Sequence, residues 1–372
     1  MKESTIYISQ DSLLKNYKLL TKFAGTPVWP VLKSNAYGHG INEVVSILKK
    51  ISAEYFIVQN YFEAEQIWNT LPHQNILMLG TEPFPTYNDM DFSRLTPTIG
   101  SLDLLHHIGT ISGGSTSRNI QVHLKINTGM NRQGFDPQDI PQIISILNKH
   151  PHIQVVGILS HFSDADGPDV SFTHKQYECF IACVEQFKKE GIEPRWIHAS
   201  NSAGLSKISP GLVNATRAGI GLYGLNPLEE SDKKYALYEQ LQPVLSFHTS
   251  ITHVRTIKKG EVVGYGNTHQ ATSEQKIGTI PVGYYEGVPR IMSNVGFCSD
   301  ESHTPLPIVG RVSMNLIGID VSGTTLSVGD EVIVYSNNKL APNTLTKNAL
   351  LSKTIHYELT TNLKPHIPRI IV

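Results

Sequence analysis

Two patterns of hydrophobic and polar positions divide the chain. Up to about residue 220, short apolar runs alternate with longer segments in which apolar residues recur at helical spacing. The predicted strands are residues 28–32, 55–58, 76–79, 95–99, 120–126, 153–160, 195–198 and 212–216. The predicted helices are residues 12–23, with Asp11 as the N-cap, and residues 41–50, 61–69, 140–147 and 172–189.

Eight strands interleaved with helices favour an α/β fold, an N-terminal (β/α)8 TIM-type barrel over residues 1–235. An open, doubly wound sheet is the alternative. Residues 226–235 are polar and begin with Asn226-Pro227, which predicts a surface connection. From Leu245 onward apolar and polar residues alternate between glycine-rich turns, with one late helix at residues 344–351. This second pattern predicts a C-terminal β-rich domain over residues 236–372.

Composition excludes several classes of function. The chain has 372 residues, with 31 Lys and Arg against 32 Asp and Glu, so its net charge of -1 gives no support for nucleic-acid binding. The 3 cysteines form neither a disulfide framework nor a zinc pattern. No apolar run approaches the roughly 18 residues of a membrane span, and the first residues lack the apolar core of a signal peptide. These features predict a cytoplasmic protein that binds no membrane.

Side chains capable of chemistry follow the predicted strands, where a barrel carries its active site. They are Lys33 after the first strand, Lys125 and Arg132 around the end of the fifth, His161 after the sixth, His198 with Asn201 and Ser202 at the seventh, and Arg217 after the eighth. Lys33 borders apolar Val31 and Leu32, so partial desolvation would lower its pKa toward a reactive amine. The alternative is an ordinary lysine pointing into solvent.

Residues 219–224 spell a GxGxxG, but they follow the last barrel strand instead of linking a first strand to a helix. This placement argues against a dinucleotide site. Barrels often bind phosphate with backbone amides in the loops after strands seven and eight, which here contain Ser202 and Gly219-Ile220. A lysine combined with a phosphate site indicates pyridoxal 5'-phosphate (PLP).

The residue type of Arg217 limits the chemistry that it can perform. A guanidinium only donates hydrogen bonds, so Arg217 opposite a pyridine nitrogen would keep that nitrogen unprotonated. An ion pair with a surface carboxylate is the alternative for Arg217.

The segment after His161 contains a D-x-D-G, yet Lys175 occupies the position where an EF-hand needs Glu, so no metal site is predicted.

Several motifs resemble those of the PLP-dependent alanine racemase family over residues 8–369. They are VLKSNAYGHG, HLKINTGMNRQG, HASNSAG, TRAGIGLYG, VGYG, PVGYYEGVPR and the closing PHIPRI. The resemblance implies a PLP-binding barrel, a C-terminal β domain, alanine as substrate, and a head-to-tail homodimer in which each active site is completed by the partner's C-terminal domain. It also implies a role in supplying D-alanine for peptidoglycan.

The resemblance further assigns roles to individual residues. Lys33 would hold PLP and act as one base, and Tyr265 of the other subunit would be the second base on the opposite face. His161 would hydrogen-bond Tyr265, and Arg217 would contact the pyridine nitrogen. The remaining assignments are Tyr37, Ser202, Gly219, Ile220 and Tyr357 for phosphate, Arg132 and the backbone of Met314 for the substrate carboxylate, Tyr284 for the substrate entrance, and Lys125 as a lysine that is often carbamylated in the family.

The chain departs from the family pattern at four positions, namely Glu286 for Asp, Ser313 for Cys, Asn315 for Asp and His366 for Arg. Asn315 lies near the predicted entrance, where loss of the carboxylate is expected to alter pH dependence or substrate preference. A racemase of serine or lysine would share every catalytic residue. A basic amino-acid decarboxylase is disfavoured, because such enzymes usually place a carboxylate at the pyridine nitrogen, where this chain has Arg217. A single-domain PLP-binding protein is disfavoured as well, because it lacks the second domain. A catalytically inactive paralogue is disfavoured, because it would not need to retain both Lys33 and Tyr265.

Overall fold

The structure is a computed structural model that describes residues 3–111, 119–208 and 211–372. Its strands are β1 (Thr5–Ile8), β2 (Val28–Pro30), β3 (Phe56–Val58), β4 (Ile76–Met78), β5 (Leu95–Ile99), β6 (Ile120–Lys125), β7 (Ile153–Leu159), β8 (Trp196–His198), β9 (Thr216–Ala218), β10 (Leu245–Ser250), β11 (His253–Ile257), β12 (Val262–Val263), β13 (His269–Gln270), β14 (Gln275–Ile280), β15 (Phe297–Ser299), β16 (Pro305–Val309), β17 (Ile317–Asp320), β18 (Glu331–Tyr335) and β19 (Arg369–Ile371). Its helices are α1 (Gln10–Ala24), α2 (Ile41–Leu48), α3 (Tyr61–Thr70), α4 (Leu102–Thr110), α5 (Ile140–Lys149), α6 (Ser171–Lys189), α7 (Tyr235–Tyr238), α8 (Leu345–Leu351) and α9 (His356–Asn362).

Strands β2 to β9 close into a parallel barrel. Strands β3 to β8 form one six-stranded sheet in chain order, and β2 pairs in parallel with β9. A bridge between Val31 and Ile57 joins β2 to β3. On the other side, Arg217 N–H donates to the Ser200 carbonyl at 3.1 Å, which links β9 to the end of β8. The barrel prediction is confirmed, and the doubly wound alternative is excluded.

The barrel interior contains its own apolar cluster, distinct from the main core between strands and helices. It comprises Trp29, Val31, Tyr55, Ile57, Leu77 and Ala215. Trp29 is fully buried and makes edge contacts with the rings of Tyr55, Trp196 and His198. A filled interior prevents passage through the barrel, so any ligand must bind at its ends.

Two local predictions in the barrel were wrong. The eighth barrel strand was predicted at residues 212–216, but β9 runs Thr216–Ala218, because Arg217 and Ala218 pair with β2. Helix α1 starts two residues earlier than predicted, and its N-cap is Ser9 instead of Asp11. The Ser9 hydroxyl accepts from Ser12 N–H at 3.3 Å, which satisfies one of the free amides at the helix start.

The second domain is built on a nine-stranded sheet in the order β11-β14-β17-β16-β15-β18-β10-β1-β19. Strand β1 is part of this sheet, although it precedes the barrel in the chain. It pairs antiparallel with β10 and parallel with β19. Both the β-rich nature of this region and its late helix, now α8, were predicted, whereas β1 and α9 were not.

None of the helices in the described ranges is long and apolar enough to span a membrane.

Candidate active site

Lys33 follows β2 and begins a turn with an uncommon backbone conformation. Ser34, Asn35, Ala36 and Tyr37 all have φ between 53° and 56°, in the left-handed region that side chains normally avoid. Each such residue costs on the order of 1–3 kcal/mol unless its surroundings hold it. Four in succession form one left-handed turn, which we call the lysine turn (Lys33–Tyr37). Conformations of this kind cluster at functional sites.

Glu63 on α3 holds the lysine turn in place. Its side chain is 7% exposed, and it accepts hydrogen bonds from Ser34 N–H at 2.6 Å and from Gln59 N–H at 2.8 Å. The second domain supports the turn from the other side. Arg369 donates to the carbonyl of Gly38 at 3.0 Å, and a Cβ at Gly38 would lie 1.9 Å from the carbonyl oxygen of Thr360 on α9. Lys33 is therefore positioned by both domains.

A cavity of about 530 Å³ opens at the carboxyl ends of the barrel strands. It brings together ten of the predicted site residues, namely Lys33, Tyr37, Lys125, Arg132, His161, Ser202, Arg217, Gly219, Ile220 and Tyr357. Nine of them come from the barrel and its loops, whereas Tyr357 comes from α9 of the second domain. This volume is within the range of small-molecule and cofactor sites.

Arg217 forms the floor of the cavity and is held from several directions. One terminal nitrogen donates to His198 Nδ1 at 2.6 Å, and the other donates to His161 Nδ1 at 3.0 Å and to the carbonyls of Ser160 and Ala199 at 2.8 and 3.0 Å. Burial lowers the pKa of Arg217 to about 10, which still leaves it protonated at neutral pH. The sequence-based alternative of a surface ion pair is wrong, since the side chain is 3% exposed.

The cavity is rich in positive charge, and this affects its two lysines. Burial lowers the pKa of Lys33, an effect that Arg132 and Arg217 reinforce and Glu63 opposes. Burial and the neighbouring cations Arg217, Arg132 and Lys33 lower the pKa of Lys125 to about 8. Lys125 Nζ donates to Gln133 Oε1 at 3.0 Å. Both amines are thus closer to their reactive neutral form than a solvated lysine is.

Hydroxyl groups and backbone amides converge at another part of the cavity wall. Ser202 Oγ accepts from Gly219 N–H at 2.9 Å and from Gly221 N–H at 3.2 Å. A Cβ at Gly219 would lie 2.5 Å from the Tyr37 hydroxyl oxygen, so only glycine lets this hydroxyl reach the turn. The rings of Tyr37 and Tyr357 lie 6.2 Å apart. A set of neutral donors around a glycine backbone fits a phosphate group.

Three predicted site residues lie outside this cavity, and all three are in the second domain. Tyr265 is 73% exposed, Met314 is 56% exposed and Tyr284 is 42% exposed. Tyr284 instead lines a separate cavity of about 420 Å³ beside Ser352 and Lys353. Within one subunit, the chain does not bring Tyr265 to Lys33.

Sequence reasoning missed three side chains that build the site. Glu63 holds the lysine turn, Gln133 binds Lys125, and His123 extends the Arg217 network through His198 at 2.8 Å. His123 belongs to the motif HLKINTGMNRQG, and its presence on a strand next to Lys125 was the available signal. Across the described ranges, no group of three or more His, Cys, Asp or Glu side chains is placed to hold a metal ion.

Fold and cavity together define a class: a closed parallel barrel with a lysine amine, a buried guanidinium and a phosphate-type cradle at one end suits a PLP-binding enzyme. Comparison with known proteins narrows the class to one family. The model of the alanine racemase N-terminal domain matches residues 8–227, and that of the alanine racemase C-terminal domain matches residues 244–371. The chain belongs to the alanine racemase family.

Individual relatives agree over nearly the whole length. An alanine racemase of Streptococcus pneumoniae is 35% identical over 351 residues, which are 93% of this chain and 91% of the relative. The solved alanine racemase of Clostridium difficile has a TM-score of 0.91 and 28% identity, covering 100% of this chain and 96% of that one. The solved alanine racemase of Bartonella henselae has a TM-score of 0.88 and 25% identity over all of both chains, and it contains covalently bound pyridoxal phosphate.

Proposed function

We propose that this protein is a PLP-dependent alanine racemase that interconverts L-alanine and D-alanine. The observation that carries the proposal is that the Lys33 amine and the buried Arg217 guanidinium line one cavity together with a phosphate-type cradle. PLP, when bound, supplies an electron-withdrawing ring that makes the α-proton of an amino acid acidic. The residues that would hold it are Lys33 for the covalent link, Arg217 for the pyridine nitrogen, and the cradle of Tyr37, Ser202, Gly219, Ile220 and Tyr357 for the phosphate.

Inversion at a carbon centre needs one group to remove the proton and a second group to return it from the opposite side. We assign the first role to Lys33, whose lowered pKa favours a neutral amine able to accept a proton. The second role belongs to Tyr265 of the partner subunit. Arg132, which lines the cavity, would bind the substrate carboxylate as a cation.

His161 would connect Tyr265 to Arg217. Because Arg217 only donates, His161 Nδ1 accepts at 3.0 Å, and the proton of the neutral imidazole must then be on Nε2. Burial and nearby cations, Arg217 foremost, lower the pKa of His161 well below its usual value, so the ring is neutral at pH 7. An Nε2–H pointing out of the network can donate to a tyrosine oxygen and stabilise it when it has given up its proton.

The proposal includes a homodimer with shared active sites. Tyr265, Tyr284 and Met314 are exposed on the second domain of their own subunit and do not line its Lys33 cavity. If they act on the substrate, a second copy of the chain must place them over that cavity, with the backbone of Met314 near the substrate carboxylate and Tyr284 at the entrance. Exposed aromatic and thioether side chains are typical of such interfaces.

Lys125 is proposed as a site of carbamylation by carbon dioxide. Only a neutral amine reacts in this way, and a pKa of about 8 gives Lys125 a larger neutral fraction at pH 7 than a solvated lysine has. The resulting negative charge would lie in a cavity with Arg132, Lys33 and Arg217 and would offset their repulsion. The intact mass of the lysine-containing peptide, measured without acid treatment, tests this assignment.

The function is tested with purified protein saturated with PLP and given L-alanine, L-serine or L-lysine in turn, with the products separated by chiral chromatography. Preferential formation of D-alanine is expected. A preference for serine or lysine would retain the mechanism and change the substrate. Carbon dioxide release without racemisation would replace the proposal with a decarboxylase.

The physiological part of the proposal is a supply of D-alanine for peptidoglycan by a cytoplasmic enzyme. Deletion of the gene should make growth depend on added D-alanine, and cell fractionation should recover the protein with cytoplasmic markers. Growth without D-alanine in a strain with no other racemase would contradict the biosynthetic role.

A further inference from the structure

Two turns of the second domain pack back to back near the exposed side chains of Tyr284 and Met314. We call them the paired turns, residues 283–287 and residues 313–316. Tyr284 N–H donates to the Ser313 carbonyl at 3.1 Å, and Tyr285 N–H donates to the Met314 carbonyl at 2.9 Å. A Cβ at Gly283 would lie 2.3 Å from the Ser313 carbonyl oxygen, so the two backbones are in direct contact.

One carboxylate connects the paired turns. Glu286 is 8% exposed, and its Oε2 accepts from Gly283 N–H at 2.7 Å within its own turn. Its Oε1 accepts from the Asn315 side-chain amide at 2.8 Å in the other turn. An ionised carboxylate accepts hydrogen bonds and donates none, so each oxygen of Glu286 faces an N–H group that suits it.

This pairing accounts for the residue type at position 315. An aspartate there would place a second acceptor-only, negatively charged group 2.8 Å from Glu286. Two carboxylates at that distance, with no donor between them, repel each other. Glu286 and Asn315, both of which depart from the family pattern, therefore form one matched unit.

We propose that Glu286 is a positioning residue that, through Asn315, fixes the paired turns and thereby the placement of Tyr284 and the Met314 backbone in the partner's active site. This inference rests on the proposed function, because it assumes that those two residues meet the substrate of the other subunit. It predicts that placing a carboxylate at position 315 alone impairs substrate binding, whereas exchanging the amide and the carboxylate between positions 286 and 315 preserves it.

The test compares four proteins as PLP-bound holoenzymes: the parent, Asn315→Asp, Glu286→Gln, and the double variant Glu286→Gln/Asn315→Asp. In the double variant, the amide introduced at position 286 can donate to the carboxylate introduced at position 315. The carbonyl oxygen of that amide can still accept from Gly283 N–H, so the pairing is restored with donor and acceptor reversed. Asn338→Asp is the matched control, because Asn338 Oδ1 already accepts from Leu340 N–H at 3.0 Å and a carboxylate oxygen can do the same.

Asn315→Asp should raise the KM for alanine by about tenfold and change kcat much less, since it disturbs substrate placement and not the proton-transferring groups. The double variant should return KM to within about threefold of the parent. A KM for Asn315→Asp equal to that of Asn338→Asp would overturn the proposal. So would a double variant no better than Asn315→Asp alone.

Hydrogen exchange separates this proposal from the assigned reaction, because it does not depend on turnover. Peptides covering the paired turns should be protected in the parent, exchange faster in Asn315→Asp and regain protection in the double variant. That outcome supports the pairing even if alanine proves not to be the substrate. Unchanged exchange in Asn315→Asp would overturn it, whatever the activity.

Discussion

His123 and His198 form a direct contact between two imidazole rings, with His123 Nδ1 2.8 Å from His198 Nε2 and both side chains fully buried. Arg217 fixes which nitrogen carries each proton. It donates to His198 Nδ1 at 2.6 Å, so His198 must donate from Nε2 to His123 Nδ1. The proton of His123 is then on Nε2, which has no hydrogen-bond partner in the part of the chain that the structure describes.

These histidines make stability dependent on pH. Burial lowers the pKa of His123 to about 3 and that of His198 well below its usual value, so both are neutral when folded. In the unfolded chain they bind protons below about pH 6.5, and the unfolded state then holds more protons than the native state. The free energy of unfolding should therefore fall as pH decreases below 6.5, by up to about 1.4 kcal/mol per pH unit for each such histidine.

Urea unfolding of the PLP-saturated protein at pH 7.5, 6.5 and 5.5 measures this effect. His123→Gln keeps an acceptor for His198 but removes one titrating group, so its decline between pH 6.5 and 5.5 should be shallower than that of the parent. Equal slopes for both proteins would mean that His123 is not held neutral in the native state.

Gly157 leaves room for the His123 ring. A Cβ at this position on β7 would lie 2.4 to 2.5 Å from three atoms of the imidazole, which cannot move away within a packed barrel. Gly157→Ala should lower the free energy of unfolding by about 1–3 kcal/mol through overpacking, and should also reduce activity by displacing the ring behind Arg217. In the control Gly167→Ala the nearest atom is 3.7 Å away, so a change below about 0.5 kcal/mol is expected. Equal stability of the two variants contradicts the prediction.

Ser202 organises the phosphate-type cradle by accepting two backbone N–H groups. Ser202→Ala removes this acceptor and a hydroxyl group proposed to contact the phosphate, so the Kd for PLP should rise about tenfold. Absorbance titration of the apoprotein with PLP measures the change. Ser206→Ala, which removes a hydroxyl bonded to Tyr238 at 3.2 Å outside the cavity, should bind PLP like the parent. An unaltered Kd for Ser202→Ala would place the phosphate elsewhere.

Two inactive variants, one altered at Lys33 and the other at Tyr265, should regain activity when they form a mixed dimer. Lys33→Ala alone should lose the covalent PLP link, and Tyr265→Phe alone should keep it but lose racemisation in at least one direction. When the two inactive proteins are unfolded and refolded together in equal amounts, about one quarter of all sites combine an intact Lys33 with an intact Tyr265. Activity near that fraction is expected, and no recovery despite confirmed mixed dimers would show that sites are not shared.

The barrel was predictable from sequence because its strands are short apolar runs buried on both faces, as β5 at Leu95–Ile99 illustrates at its predicted bounds. Strand β1 was not, since its partners β10 and β19 are hundreds of residues away and local periodicity carries no information about them. Helix α9, which carries Tyr357, was not predicted because Ile355 at its N-cap provides no capping side chain, whereas Thr344 caps α8, a helix of the same length.

The site was predictable in its residues more than in its geometry. Strand ends located Lys33, Lys125, His161 and Arg217, and the cavity unites them. The lysine turn could not be foreseen, because Ser34, Ala36 and Tyr37 have no preference for the left-handed region and are held there by distant groups such as Glu63. Tertiary contacts determine this conformation against local propensity.

The pairing of β1 with β10 and β19 has a consequence for synthesis on the ribosome. Residues Thr5–Ile8 are translated before the barrel, yet the strands on both sides of them, Leu245–Ser250 and Arg369–Ile371, are translated only after the whole barrel. During elongation this apolar strand has free hydrogen-bonding edges, the condition that favours association with other nascent chains or with chaperones. Completion of the sheet is therefore a late event, and slowed translation of the second domain would prolong the vulnerable period.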